Sequence, residues 1–169
     1  MPIRDEQQRQ NNRESLRQLC SSNYKRAELI QKERSLLGVT TEGTIYIELP
    51  FGFDYGSNLH FSGDFYANTD CLFLDTGDIY FGKAVKLGPR VQIYTANHPV
   101  DPQERLAKGL VIASPVTIGD NVWVGGGSII NPGVTIGANT VIGSGSVVTK
   151  SLPDNVLAAG VPAKVIKTL

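Results

Sequence analysis

The side chain best placed for proton transfer is the imidazole of His98, which lies in the stretch Tyr94–Pro102 and precedes Pro99. Imidazole titrates near neutral pH, so it can take a proton from a hydroxyl group as the oxygen attacks an electrophile. A single histidine in a loop is more often a surface or structural residue. The place of this loop in the repeat pattern described below favours a general base.

The only other histidine, His60, holds the sixth place of its own repeat unit. A side chain at that place points away from the interior of the repeat, so His60 is predicted to point outward and to be structural. His98 therefore stands alone as the candidate base.

The element that must position His98 is a six-residue repeat over residues 112–153. Each repeat has an aliphatic residue, a small or branched residue two places before the next aliphatic, and mostly Gly or Asn at the fourth place. The aliphatic residues are Ile112, Ile118, Val124, Ile130, Ile136, Ile142 and Val148.

A period of six fits neither a helix, whose apolar residues recur at three and four, nor a simple alternating strand. It fits a short strand followed by a bend, because Gly and Asn tolerate positive φ most cheaply. Three such repeats form one triangular coil, and coils bury their apolar residues by stacking. The predicted fold is therefore mainly β, a single-stranded parallel β-helix of hexapeptide repeats.

The repeat extends less regularly towards the N-terminus, with a phase shift of two residues near Asp75–Asp78. Nineteen residues separate Ile93 from Ile112, thirteen more than one repeat, so a loop is predicted to protrude from Thr95 to Val111. Loops that leave a rigid repeat usually carry function. The earlier aliphatic or aromatic positions are Tyr55, Phe61, Ala67 and Phe73, then Phe81, Leu87 and Ile93.

The N-terminal segment has a helical period instead. Apolar residues recur at three and four from residue 5 to about 37, with an interruption at Ser21–Asn23 and Gly38 at the end. We expect a helical cap over residues 1–42 and a β-helix over residues 43–169, with the loop at 95–111 and a C-terminal cap from Leu157 onward.

Composition excludes several classes of partner. The 169 residues include sixteen basic and sixteen acidic side chains without a basic stripe, which argues against nucleic acid and anionic membranes. Two distant cysteines, Cys20 and Cys71, indicate neither a disulfide framework nor a zinc site. A polar N-terminus and the absence of long apolar runs favour a cytoplasmic enzyme or scaffold.

About three quarters of the chain, from Tyr46 to Leu169, resembles the maltose/galactoside O-acetyltransferases of the hexapeptide-repeat family. The Tyr-Ala-Asn and His-Pro segments are more specific for this family than the repeats alone. The matching segments are Asp54–Asn58, Phe65–Asn68, Ile93–Thr95 with His98-Pro99, Ile118–Trp123, Ile130–Gly137, Val147–Lys150 and Ala159–Ile166.

The resemblance implies a left-handed β-helix and transfer of an acetyl group from acetyl-CoA to a hydroxyl of a sugar such as maltose, glucose or a galactoside, without a metal. It also implies a homotrimer with active sites between subunits. In that enzyme His98 is the general base of a ternary complex, since direct attack needs both substrates held together.

The same resemblance implies four substrate contacts: Asp54, Tyr66, Asn68 and Asp75. Asn68 would meet the acceptor hydroxyl or the thioester near His98, or it is a turn asparagine. The other three line the acceptor pocket in the family, or they are solvated or strand-capping residues.

Seven residues match the family's coenzyme contacts. Gly126 would donate its backbone N–H to the oxyanion, or it is a turn glycine. Trp123 would wall the acyl-CoA groove, or it is a packing residue. Ser144, Thr149 and Lys150 match the contacts of the pantetheine and adenosine groups. Lys164 and Lys167 would meet the phosphates, or they are surface residues. The set is Trp123, Gly126, Ser144, Thr149, Lys150, Lys164 and Lys167.

Three departures from the family bear on specificity. Thr76 stands where some relatives have a carboxylate, Lys164 and Lys167 stand where relatives often have arginine, and no N-terminal Asp matches the one that touches the sugar. Alternatives are therefore transfer to serine, an antibiotic or an amino sugar, or a non-catalytic β-helix. The carbonic anhydrases of this fold need three metal-binding histidines, and this chain has two.

Overall fold

The computed structural model describes residues 6–108 and 111–169, and it begins with two helices, α1 (Glu6–Cys20) and α2 (Arg26–Leu36). Each helix buries a narrow apolar stripe, through Leu16 and Leu19 in α1 and Leu29 in α2. The turn at Ser21–Asn23 separates them, as the sequence predicts. No helix in the described part of the chain combines the length and apolar character that a membrane crossing requires.

The remainder is built from short strands and one further helix, α3 (Pro102–Lys108). In chain order the strands are β1 (Ile45–Ile47), β2 (Gly52–Phe53), β3 (Leu59–Phe61), β4 (Phe65–Ala67), β5 (Leu72–Leu74), β6 (Ile79–Phe81), β7 (Val85–Leu87), β8 (Gln92–Tyr94), β9 (Ala96–Asn97), β10 (Ile112–Ala113), β11 (Val116–Ile118), β12 (Trp123–Val124), β13 (Ile129–Ile130), β14 (Thr135–Ile136), β15 (Val141–Ile142), β16 (Val147–Val148), β17 (Val156–Gly160) and β18 (Ala163–Thr168).

Successive strands join three sheets in rotation, which makes a β-solenoid of about six turns. We name them sheet 1 (β1-β4-β7-β12-β15-β17-β18), sheet 2 (β2-β5-β8-β13-β16) and sheet 3 (β3-β6-β11-β14). Strands of neighbouring turns pair in parallel, except that β18 closes sheet 1 antiparallel to β17. The predicted fold class is confirmed: a mainly β, single-stranded parallel β-helix with N-terminal helices and a protruding loop.

The interior contains the residues that the repeat predicts. From the second repeat onward the aliphatic residues are at most 1% exposed, and the branched or small residues two places before the next aliphatic are buried as well. The buried hydroxyls are satisfied by backbone oxygens: Ser128 Oγ donates to Gly143 O at 3.1 Å, and Thr140 Oγ1 donates to Pro153 O at 2.8 Å. Burying a hydroxyl without such a partner would cost about 1–3 kcal/mol.

The bends fall at the fourth place of the repeat, as predicted. Asn121 and Asn139 have φ of 55° and 57°, and the glycines at this place in the other turns also have positive φ. The asparagines form a ladder along one edge: Asn121 Nδ2 donates to Asn139 Oδ1, and Asn139 Nδ2 donates to Asn155 Oδ1, both at 3.0 Å. The residue type thus fixes both the bend and the contact between turns.

Two predicted repeat positions are wrong. Ile112 is 47% exposed and lies in β10, which pairs antiparallel with β9 outside the solenoid, so the regular repeat resumes only at Val116. Tyr55 is not an inward strand position, because Phe53 pairs with Phe73 in the parallel register and takes that place. Both errors arise at the same corner of the solenoid.

That corner, between sheets 2 and 3, is enlarged in the first three turns, and we call it the wide corner. Equivalent inward residues are eight places apart across it, from Phe53 to Phe61 and from Phe73 to Phe81, in place of the usual six. In the third turn the whole loop between β8 and β11 leaves here. In each of the first three turns, the chain therefore departs from the six-residue repeat at this same corner.

A buried carboxyl joins the helical segment to the first strand. Glu33 of α2 is fully buried, its Oε2 accepts the backbone N–H of Ile47 at 3.2 Å, and its Oε1 has no partner. Burial raises the pKa of Glu33 to about 8, from an ordinary value of 4.5. At neutral pH the folded protein therefore holds this carboxyl protonated.

We expect Glu33→Gln to flatten the dependence of stability on pH. Because the folded pKa is the higher one, the folded state binds the proton more tightly, and wild-type stability falls as pH rises from about 4.5 to about 8. Between pH 5.5 and pH 8 the wild type should lose roughly 3 kcal/mol of stability that the variant keeps. Urea unfolding at pH 5.5 and pH 8 measures it. Glu28→Gln, exposed on the same helix, is the control, and a Glu33→Gln slope equal to wild type would contradict the assignment.

Candidate functional site

Asp75 organises the wide corner. Its Oδ1 accepts the backbone N–H groups of Asp54 (2.9 Å) and Tyr55 (2.8 Å), and its Oδ2 accepts those of Gly56 (2.7 Å) and Asn58 (3.3 Å). The residue is 0% exposed, and burial raises its pKa although the four hydrogen bonds oppose the rise. Asp75 was predicted to contact substrate; in this structure its whole carboxylate lies inside the corner and holds the backbone of the corner.

Asp54 lies on the outer side of the same corner. Its Oδ1 accepts two N–H groups of Arg9, from Nε at 2.9 Å and Nη2 at 2.6 Å, and its Oδ2 accepts the hydroxyl of Thr76 at 3.0 Å. The side chain is 16% exposed, so part of it reaches solvent. Thr76, which differs from the family pattern, thus supports Asp54 from the next turn.

The loop that carries His98 is anchored directly beside Thr76. Thr95 is fully buried, and its hydroxyl donates to Leu74 O at 2.6 Å and accepts the N–H of Gly77 at 2.8 Å. The N–H of Ser114 returns to Thr95 O at 2.9 Å, and the β9–β10 ladder extends the two arms of the loop outward. The loop base is therefore fixed to the wide corner on both of its arms.

His98 follows β9 and is exposed, whereas its neighbour Pro99 is buried. The guanidinium of Arg105, in α3, donates to Pro99 O at 3.0 Å and to Val100 O at 3.1 Å. The backbone next to the imidazole is thus held by contacts inside the loop. Thr149 and Lys150, both exposed, follow β16 at this same corner, two turns farther along.

A second group of predicted residues lies at the corner between sheets 1 and 2. Asn68, Gly126 and Ser144 follow β4, β12 and β15 within two residues. The Oδ1 of Asn68 accepts the N–H of Thr69 at 2.8 Å, a local turn contact. A Cβ at Gly126 would lie 3.0 Å from the Cδ and the O of Pro89, so close packing between turns explains this glycine. Ser144 is exposed.

A third group projects from the outer face of sheet 1. Its outward residues form one column across the turns, in the order Tyr46, Tyr66, Lys86, Trp123 and Val141. Trp123 is 56% exposed, so it does not pack into this chain's core. A groove of about 270 Å³ lies beside Tyr46 and Tyr66, a second of about 530 Å³ lies beside Trp123, and Lys86 lines both.

The two remaining predicted residues, Lys164 and Lys167, are exposed on β18 at the end of sheet 1. One chain therefore distributes the predicted residues over two corners and one face. It brings His98, Asp54, Thr149 and Lys150 to the wide corner, and it does not bring Tyr66, Trp123 or the β18 lysines to that edge. Within residues 6–108 and 111–169, no three His, Cys, Asp or Glu side chains are grouped to hold a metal ion.

Arg9 is a site residue that no sequence pattern indicated. It lies 45 residues before its partner Asp54, in a segment interpreted only as a cap, and its charge is unremarkable in a helix rich in polar residues. His60 is placed as predicted: its exposed ring lies 2.9 Å from Asp78 Oδ1 through Nε2 and stacks on Tyr80 with 4.8 Å between ring centroids.

The chain matches the family model described as bacterial transferase hexapeptide (six repeats) over residues 115–150. It is 41% identical over 150 residues to the galactoside O-acetyltransferase of Escherichia coli K12, covering 87% of this chain and 73% of that protein.

Two solved structures are similar throughout. The maltose O-acetyltransferase from Clostridium difficile 630 superposes with a TM-score of 0.86 at 43% identity, over 96% of this chain and 87% of the other. A hexapeptide-repeat acetyltransferase from Vibrio cholerae O1 biovar eltor, complexed with acetyl coenzyme A, gives a TM-score of 0.88 at 32% identity, over 97% and 88%. With its stacked hexapeptide turns and these relatives, the chain belongs to the hexapeptide-repeat acetyltransferases, in the branch that contains the galactoside and maltose O-acetyltransferases.

Proposed function

We propose that this protein transfers the acetyl group of acetyl-CoA to a hydroxyl group of a sugar such as maltose, glucose or a galactoside. The observation that supports the proposal is the wide corner, which holds the base of the anchored loop that carries His98 and also holds the partly exposed side chain of Asp54. The relatives named for maltose and galactoside, and the relative with bound acetyl-CoA, support the choice of substrates.

In the proposed reaction, His98 takes the proton of the acceptor hydroxyl as its oxygen attacks the thioester carbonyl carbon. A C–O bond forms and the C–S bond breaks, and the proton passes from the imidazolium to the departing sulfur, which leaves as CoA thiol. The acetyl group passes directly from the thioester to the hydroxyl, without an acetyl-enzyme. Both substrates must therefore be bound together. The N–H of Gly126 is the proposed donor to the oxyanion, and Asn68 the proposed contact of the acceptor hydroxyl or thioester.

The coenzyme would lie along the solenoid. Its proposed contacts are Ser144, Thr149 and Lys150 for the pantetheine and adenosine groups, Trp123 as a wall, and Lys164 and Lys167 for the phosphates as point charges. The exposure of these side chains supports such a role. Because acetyl-CoA is an intracellular metabolite, the proposed reaction takes place in the cytoplasm.

We also propose that the active protein is a homotrimer with each site between two subunits, and that residues 1–42 act as a cap on the solenoid of residues 43–169. In one chain, Tyr66 and Trp123 project from sheet 1 while His98 lies at the opposite wide corner. A neighbouring copy can bring these groups together. Light scattering should give three times the 18.3 kDa of one chain, and a monomer would contradict the shared site.

The direct test is release of CoA thiol from acetyl-CoA in the presence of a panel of sugars, amino alcohols and antibiotics. The proposal expects the highest kcat/KM with a sugar and a dependence on His98. Preferred turnover of serine, an antibiotic or an amino sugar would replace the proposed acceptor while leaving the family assignment in place. Thiol release that is equal with and without every acceptor would exclude hydroxyl transfer.

A further inference from the structure

The N-terminal helix α1 contacts the solenoid through two polar residues spaced one helical turn apart. Arg9 donates to the carboxylate of Asp54, and Asn12 Nδ2 donates to the backbone oxygen of Tyr55 at 2.8 Å. The guanidinium carbon of Arg9 also lies 5.5 Å from the centroid of the Tyr55 ring. Residues three apart share one helix face, so α1 presents this face to the wide corner.

The Arg9–Asp54 pair differs from a surface ion pair. Both N–H groups of Arg9 converge on one oxygen of Asp54, and the two side chains are 28% and 16% exposed. Farther along α1, Arg17 and Glu14 form a pair at 3.2 Å with side chains 73% and 57% exposed, and such pairs contribute little. The carboxylate of Asp54 raises the pKa of Arg9, so the guanidinium stays charged throughout the working range of pH.

The pair is connected to the loop that carries His98. Asp54 accepts the hydroxyl of Thr76, the next residue Gly77 donates its N–H to Thr95, and Thr95 stands three residues before His98. Since each of these contacts is a hydrogen bond of 3.0 Å or less, the position of the Asp54 carboxylate and the base of the loop are fixed together.

The pair also determines how many further hydrogen bonds the carboxylate of Asp54 can accept. A carboxylate has about four sites that accept hydrogen bonds. Arg9 and Thr76 occupy three of them, which leaves one accepting site on a side chain that is 16% exposed. An ionised carboxylate can only accept, so its ligand must donate a hydrogen, as a sugar hydroxyl does.

We propose that Arg9 is a positioning residue for the acceptor: it holds Asp54 so that the remaining accepting site of this carboxylate receives one hydroxyl of the sugar while another hydroxyl faces His98. The inference rests on the proposed function. It assigns to the N-terminal helix a part in acceptor recognition, in addition to covering the end of the solenoid. Arg9 acts through Asp54 and needs no contact with the reacting atoms.

The test is steady-state kinetics of Arg9→Met with the best sugar acceptor. We expect kcat/KM for the acceptor to fall about 10- to 100-fold, the equivalent of one hydrogen bond to a charged group, mainly through a higher KM. The KM for acetyl-CoA should stay within about twofold of wild type. Arg9→Lys should recover part of the loss, because an ammonium keeps the charge but not the two converging N–H groups.

Three further variants decide between positioning and simple docking of the helix. Arg17→Met is the matched control on α1 and should behave as wild type. Asn12→Ala removes a different polar bond between α1 and the solenoid, so an equal loss in this variant would overturn the role of Arg9. Asp54→Asn with Arg9→Met should be no worse than Asp54→Asn alone. Losses that multiply would show that Arg9 acts independently of Asp54 and would reject the proposal.

The wild-type measurement distinguishes failure of the proposed function from failure of the role given to Arg9. If wild-type protein acetylates no sugar, the acceptor class is wrong before any variant is made, and the assignment of the pair is withdrawn with it. If wild type acetylates a sugar and Arg9→Met matches it, only the role of Arg9 is lost.

Discussion

Alanine in place of His98 should lower kcat for acetyl transfer about 10²- to 10⁴-fold, the usual contribution of a positioned general acid–base group. The attacking hydroxyl would then lose its proton to water, which is neither positioned nor as basic as imidazole. The KM for acetyl-CoA should change little, because the imidazole of His98 is not among the proposed coenzyme contacts. Thiol release measured under saturating acetyl-CoA and acceptor reports the change.

The matched control for this prediction is His60→Ala, which removes the chain's other histidine from the outer face of sheet 3. That variant should keep wild-type kcat. Circular dichroism and light scattering of His98→Ala should match wild type, since the side chain is exposed and its loop is anchored through Thr95. Turnover retained after loss of His98 would remove the general base from the mechanism.

Asparagine in place of Asp75 should be the most destabilising isosteric change at the site. Two carboxylate oxygens now accept four backbone N–H groups in a corner that is closed to water. The amide keeps one oxygen and turns its NH₂ group towards N–H donors, so at least two buried N–H groups lose their acceptor. Each costs about 1–3 kcal/mol, which gives a loss of roughly 3 kcal/mol or more.

A loss of this size should lower the melting temperature by about 6–12 °C for a chain of this length. The KM for the acceptor should rise as well, because the backbone of Asp54 is held by Asp75. Asp120→Asn is the matched control: its exposed Oδ1 accepts one backbone N–H, from Lys83 at 2.7 Å, and an amide oxygen can replace it. Equal melting temperatures for the two variants would contradict the role given to Asp75.

Several features of the fold were predictable because they depend on local residue type. The aliphatic residue at every sixth place, from Ile118 to Val148, is buried, and the Asn or Gly at the fourth place makes the bend. These preferences act within one repeat and add up over many repeats. The same reasoning located the loop and its histidine, since the interval between Ile93 and the next regular repeat is too long for the pattern.

The errors arose where the repeat is interrupted. Ile112 has the right spacing and the right residue type for an inward position, yet it pairs with Asn97 in the arm of the loop. Asp75 was predicted to line the acceptor pocket because the resemblance to the family places it there. Its observed contacts are with four backbone N–H groups that lie 17 to 21 residues earlier in the chain, and the sequence gives no sign of them. The six-residue spacing carries no information about contacts between turns that depart from the regular repeat.

By itself the sequence determined the stacked triangular coils, the position of the bends and the exposed loop with a single histidine, because each follows from the conformational preference of a few neighbouring residues. The tertiary structure alone decided which carboxylate is buried and which remains available, and that an arginine of the first helix holds Asp54. Those outcomes depend on groups more than fifteen residues apart whose separation in space is fixed only when the turns have stacked.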